Sequence, residues 1–205
     1  MQSLVCSQNT LPQQLSDNMF CDRKRQFVDR MQWNLRITSD GHEIDEYDDG
    51  RSTYLVVHDE HRHLGSCRVR STQYTTMLTD HFLSSFPDAF HFLRMQRGRV
   101  YELTRFCRAP GITAQESKAM LANIAILMDK FRQENNLTAY VAVVYPKVAR
   151  FMDTIGMRYL LVSEAEIKGE RAQLICITEA TTAKTITSLH KLALPYSQYQ
   201  QRLVA

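Results

Sequence analysis

Residues 113–156 constrain the fold more than any other stretch of this chain. Thr113 and Glu116 form a T-x-x-E capping box, in which each side chain can satisfy the other's orphan N–H at a helix start. Met120, Ile124, Leu127, Met128 and Phe131 then recur at helical spacing to about Glu134, which predicts a helix with one apolar face. Residues 137–145, LTAYVAVVY, are almost continuously apolar, as expected of a strand covered on both sides. Pro146 suits the first turn of another helix; Val148, Phe151, Met152 and Ile155 form its buried stripe, and Gly156 supplies the stop.

The flanking sequence extends this order. Residues 11–33 read as helical, residues 37–51 as a polar, acidic stretch, and 53–59 and 64–70 as two strands joined by the turn HDEHRH. Residues 77–86 predict a short helix closed by Pro87, and 99–108 a strand whose alternation sets Tyr101, Leu103 and Arg105 opposite Glu102, Thr104 and Phe106. Residues 158–163 and 171–179 are two further strands, and 181–205 a docked helix with a mobile tail. The expectation is one domain, residues 1–205, with a three-layer α/β/α sandwich around one mixed sheet.

Composition excludes several classes. With 44% apolar and 23% charged residues the chain is an ordinary globular sequence, and its net charge of +3 is interspersed with acids, which argues against nucleic acid. The five cysteines are scattered with no CxxC pair, so neither a zinc site nor a disulfide framework is expected; a reducing compartment fits. The N-terminus lacks a signal-peptide pattern and no apolar run spans a bilayer, so the expectation is a cytoplasmic protein without a membrane partner. The histidines at 58–63 are expected to be solvated, with no metal bound.

Four spaced motifs carry the chemistry. They are R-x3-F-x5-W (Arg23, Phe27, Trp33), E-x-D-x-Y-D at 43–48 with Asp45 and Asp48, G-S-C-R ending at Arg68, and E-L-T-R-F with Glu102 and Arg105. In this order and at these separations they resemble the acyl-homoserine-lactone synthase family, the autoinducer synthases of bacterial quorum sensing. The segment MLTDHF at 77–82 is similar to the one that family places between its third and fourth motifs, and the likeness covers residues 20–160.

The resemblance implies a fold similar to the N-acetyltransferase superfamily and two substrates. One is S-adenosylmethionine, a consumed amine donor rather than a cofactor; the other is an acyl thioester, on acyl carrier protein more than on coenzyme A. Amide formation is followed by lactone closure that expels 5′-methylthioadenosine. On the S-adenosylmethionine side the resemblance places Arg23, Trp33, Asp45, Asp48 and Arg68, with Phe27 in the same motif as a core aromatic. Arginine forks suit a carboxylate, aspartates suit cations, and an indole face suits adenine or a sulfonium. Asp45 and Asp48 are expected to be partners of Arg23 or Arg68 first and ligands second. Glu102 is the expected general base, with its pKa raised by burial, and Arg105 joins it; backbone N–H groups at 103–107 are candidates for the oxyanion.

The acyl tail is expected in a slot between the sheet and the helix beginning near Thr113. Its walls would be Met77, Leu78, Phe82, Phe106, Leu121, Ala125, Val141, Ala142 and Val143. Members making 3-oxo products place Thr where Ala142 aligns, which implies an unsubstituted chain here. Lys118, Lys147 and Arg150 are the expected docking residues for an acidic carrier protein. Two departures stand out: Arg70 is an extra charge that could substitute for Arg68, and Gln26 stands where the family prefers an apolar residue. A coenzyme A-dependent acyltransferase acting on another amine is the first rival, weakened because residues 108–116, RAPGITAQE, lack a pyrophosphate-binding glycine loop. A non-enzymatic basic binding module is the second.

Overall fold

In a computed structural model, which describes residues 1–60, 62–87, 89, 93, 98–167 and 169–189, the described strands form one mixed sheet. The strands are β1 (Gln2–Ser7), β2 (Ser52–Asp59), β3 (Arg62–Ser71), β4 (Val100–Arg108), β5 (Ala139–Val144), β6 (Leu160–Ile167) and β7 (Glu170–Thr178). Their spatial order is β1-β2-β3-β4-β5-β7-β6, and β4–β5 is the one parallel pair among them. The helices are α1 (Gln13–Arg23), α2 (Ala114–Glu134) and α3 (Pro146–Thr154), with a further helical segment at 179–189.

Alternation along the strands builds two cores. Leu55, Val57, Cys67, Val69, Tyr140, Ala142, Ile175 and Ile177 face α2 and meet Met120, Leu121, Ile124, Leu127, Met128 and Phe131. On the other face Tyr54 and Val56 meet Leu15, Met19 and Phe20 of α1, while Val100, Val141 and Leu174 meet Leu78 and Phe86. Helices on both faces make this the expected three-layer α/β/α arrangement. Each fully buried large apolar side chain contributes roughly 1.5–3 kcal/mol of transfer free energy. Among the described residues no helix is long and apolar enough to cross a membrane.

Local chemistry explains the element ends. Thr113 Oγ1 accepts from the Glu116 N–H at 3.1 Å, and Glu116 accepts from the Thr113 N–H at 2.8 Å, which closes the capping box of α2. Gly65 of the G-S-C-R motif lies beneath α2, where any Cβ would collide with the Met120 side chain. Residues 11–33 do not form one helix: α1 gives way to a π-helical turn, Lys24–Arg30, in which the Met31 N–H reaches back to Gln26. Residues 77–86 likewise hold a π-helical turn, Leu78–Phe82. β1 was absent from the sequence reading because it is a short edge strand whose burial rises from exposed Gln2 and Ser3 to buried Cys6 without a clear alternation. Of the expected helix and tail at 181–205, the part beyond residue 189 lies outside the described residues.

β4 departs from simple alternation. Ser66 of β3 faces Cys107, but Arg68 faces Thr104, so β4 spends one extra residue between them. Arg105 sits in this bulge with φ 51°, in the left-handed region. The bulge corrects the expected alternation: Arg105 reaches the same side as Glu102, because the Met77 thioether packs against Arg105 while Glu102 accepts a bond from the next residue, Leu78.

Candidate active site

The end of α1, the loop 43–48 and strands β3 and β4 bring three arginines and three carboxylates together. Arg23 is 1% exposed; its guanidinium lies 5.1 Å from the Phe20 ring centroid. It donates to Glu43 at 2.6 Å through Nε, and to both oxygens of Asp48 at 2.8 Å. Arg68 grips Asp45 with both terminal nitrogens, meets Asp48 at 2.9 Å and donates to Thr104 Oγ1 at 3.1 Å. Arg105 completes the ring with Glu43 at 2.9 Å and Asp45 at 2.7 Å, and its guanidinium lies 5.6 Å from the Phe27 centroid.

The loop is shaped by the same acids. Asp45 accepts from the Tyr47 N–H and Asp48 from the Asp45 N–H, both at 2.9 Å, so side chains replace the backbone partners that an irregular segment lacks. Burial alone would raise the Asp48 pKa, but Arg23 and Arg68 hold its carboxyl well below the usual range. Burial likewise opposes the Arg23 charge, and Asp48 with Glu43 hold its pKa above the ordinary value. Of the three acids Asp45 is the most open, its side chain 11% exposed against 1% for Glu43 and 0% for Asp48.

Glu102 lies on β4 beside this cluster, 3% exposed. Its Oε1 accepts from the Leu78 N–H at 2.8 Å, at the start of the π-helical turn. Burial pushes its pKa up to about 7, while Arg68 and the backbone N–H groups of Leu78 and Met77 pull the other way. A carboxyl near neutrality can take a proton from an ammonium, which an ordinary surface glutamate does poorly. The Met77 thioether accepts from Arg68 at 3.5 Å and from Arg105 at 3.4 Å, so the turn and the arginines share one boundary. Tyr47 ties the acidic loop to that turn through Asp80 at 2.7 Å.

The structure thus brings together Arg23, Asp45, Asp48, Arg68, Glu102 and Arg105. Phe27 is buried under Arg105, and half-buried Trp33 stacks on Phe27 at 5.3 Å with Tyr145 at 6.2 Å. Glu43, with Met77 and Tyr47, was missed as a member of the cluster. Its one signal was its place as the first letter of E-x-D-x-Y-D, inside a run that reads as solvated. Arg70 does not stand in for Arg68: it bonds the Thr75 carbonyl at 2.7 Å and pairs with Asp49, anchoring a different turn. His63 is not solvated as the turn 58–63 suggested, but buried between Asp22 at 2.9 Å and Ser66 at 3.0 Å.

The nine acyl-slot residues do not all lie between the sheet and α2, which corrects that placement. Leu121, Ala125, Ala142 and Phe106 belong to the α2 side, whereas Leu78, Phe82, Val141 and Val143 pack on the opposite face and Met77 lies against the arginines. The cause is strand alternation, which must separate Ala142 from Val141 and Val143. β4 and β5 pair in register at Val100–Ala139, Tyr101–Tyr140 and Glu102–Val141 and no further. Beyond that point the two strands are no longer paired. Lys118, Lys147 and Arg150 are exposed on the outer sides of α2 and α3.

Comparison with known proteins agrees with this architecture. An acyl-homoserine-lactone synthase of Pseudomonas amygdali pv. tabaci is 28% identical over 174 residues, covering 83% of this chain and 75% of that one. One from Pectobacterium parmentieri is 32% identical over 57% of this chain and 50% of its own length. Among solved structures the AHL synthase LasI superposes with a TM-score of 0.71 at 20% identity, over 93% of this chain and 94% of its own. The coenzyme A-dependent synthase BjaI, solved with SAM and isopentyl-CoA, gives 0.71 at 19% identity over 91% and 86%. The family described as autoinducer synthase matches residues 7–186. With nearly the whole described chain inside that match, the protein belongs to the autoinducer synthase family, the acyl-homoserine-lactone synthases.

Proposed function

We propose that the enzyme makes an N-acyl-L-homoserine lactone from S-adenosylmethionine and an acyl thioester carried on acyl carrier protein. The observation that carries this reading is the buried Glu102 carboxyl, at about 7, beside a cluster of alternating arginines and carboxylates. In the cluster Arg23 and Arg68 hold the acids in place, and Asp45, the most open of the three, is left for a substrate's cationic groups. Trp33, braced by Phe27, supplies an aromatic face for adenine or the sulfonium.

In the first step Glu102 accepts a proton from the substrate ammonium, directly or through one water. The free amine attacks the thioester carbon, N–H groups of the β4 bulge hold the oxyanion, and the thiol leaves as the amide forms. In the second step a carboxylate oxygen attacks the carbon bonded to the sulfonium. The C–S bond breaks with its electron pair on sulfur, and 5′-methylthioadenosine departs as a neutral thioether. That closure needs orientation more than acid or base, because the leaving group is already cationic. Exposed Lys147 and Arg150 on α3, with Lys118 on α2, support an acidic carrier as donor. Five free cysteines support a reducing, cytoplasmic setting.

The test is purified protein incubated with S-adenosylmethionine and matched acyl carrier protein and coenzyme A thioesters, with lactone measured by mass. Lactone formed fastest from a carrier-bound donor is expected. No lactone from any donor would remove the reading, and a coenzyme A preference would remove its carrier half.

A further inference from the structure

Gln26 sits in the π-helical turn that follows α1, yet its side chain bonds a strand. Its Nε2 donates to the Phe106 carbonyl at 2.8 Å, and its Oε1 accepts from the Arg108 N–H at 3.0 Å. One carboxamide therefore satisfies two backbone groups on alternate residues of β4, the pattern a neighbouring strand would supply. The carbonyl and the N–H, both fixed, decide which end of the amide faces which. β5 does not serve there, since its pairing with β4 ends at Glu102.

Between the last β5 pair and the Gln26 bonds lies the bulge. Arg105 holds φ 51° there, a conformation that a side-chain-bearing residue rarely adopts and that persists only when its surroundings fix it. On the β3 side, register resumes at Ser66–Cys107. On the open side nothing but Gln26 bonds the backbone at 106 and 108 among the described residues. The neighbouring residue on the same turn, Phe27, underlies the Arg105 guanidinium. One turn thus holds both the backbone and the side chain of the bulge.

We infer that Gln26 is a positioning residue for the reaction: it acts as a surrogate strand that fixes the bulge, and through it the placement of Arg105 and the backbone N–H groups beside Glu102. The inference rests on the reaction proposed above but names a residue outside it. A π-helical turn is the device that brings the carboxamide to the strand edge, and such turns recur at functional sites.

The test uses Gln26→Met, which keeps the volume and loses both bonds, and Gln26→Glu, which keeps the acceptor for Arg108 and loses the donor for Phe106. Amide hydrogen exchange at Arg108 is expected to rise about tenfold in Gln26→Met, the equivalent of one ordinary hydrogen bond, with Glu102 and Leu103 unchanged. In the same variant kcat is expected to fall about ten- to a hundredfold with KM for S-adenosylmethionine unchanged, since small displacements at a reacting centre are costly. Gln26→Glu is expected to keep Arg108 protected while kcat falls, and it carries the test if Gln26→Met does not fold. Wild-type exchange at Arg108 with wild-type kcat in either variant that folds would overturn the inference. A loss matched wholly by KM would do the same. Failure of the proposed reaction shows separately, as a wild-type protein that makes no lactone while the exchange difference stands.

Discussion

Replacing Glu102 with Gln separates what the site costs from what it does. The Glu102 carboxyl is buried with its pKa moved from 4.5 to about 7, so its folded-state value is raised above its unfolded one. A raised carboxyl favours folding fully below pH 4.5, and that contribution is lost as pH climbs through 7; at pH 8 the ionised group is a burden on the fold. Moving a carboxyl over that interval corresponds to about 3 kcal/mol. Gln keeps an oxygen to accept from the Leu78 N–H and carries no charge, so Glu102→Gln is expected to stabilise the protein at pH 8 by up to about 3 kcal/mol and to be nearly neutral at pH 4. Urea unfolding at both pH values measures the difference. Lactone formation should fall about a hundredfold or more, and the wild-type rise of kcat/KM through about pH 7 should vanish with it. A variant less stable than wild type at pH 8 would show that Glu102 is held ionised by its neighbours, and the reasoning from burial would be wrong.

Other expectations follow from particular contacts. Arg23→Gln removes one of the two guanidinium partners each of buried Glu43 and Asp48, leaving Arg105 and Arg68, and should cost about 3 kcal/mol in urea unfolding; a loss under about 1 kcal/mol would show that the ring rearranges around the gap. Gly65→Ala drives a methyl into Met120 and should lower stability by about 1–3 kcal/mol by the same assay, with no effect if α2 shifts freely. Charge reversal at Lys147 and Arg150, both exposed on α3, should raise KM for a carrier-bound donor about tenfold or more, more steeply at low salt, and leave KM for S-adenosylmethionine unchanged. An unchanged KM removes these residues from the docking surface.

The parts legible in the sequence were those with a strong local period or a spaced set of charges. The capping box at Thr113 and Glu116, the α2 stripe and the apolar run of β5 all specify themselves through near neighbours. Arg23, Asp45, Asp48, Arg68, Glu102 and Arg105 were legible as a set because their spacing matches a family. Their pairing was legible in part: that Asp45 and Asp48 partner Arg23 or Arg68 follows from charge, but which acid meets which arginine does not, and Glu43 looked like one more acid in a solvated run. The β4 bulge was not legible, since period-two alternation has no signal for one extra residue, and it moved Arg105 across the sheet relative to expectation. The faces taken by the acyl-slot residues were not legible for the opposite reason. Apolar residues on adjacent strand positions look alike in sequence, yet must face opposite sides.

The central claim is that one site joins an acyl group to S-adenosylmethionine and then closes the ring. Timed quenching of the purified protein with both substrates, with lactone and 5′-methylthioadenosine counted in each sample, tests it most directly. The two products are expected to appear one for one, and neither should form when the acyl donor is omitted. Methylthioadenosine released without an acyl donor, or acylated product accumulating with no methylthioadenosine, would contradict the account.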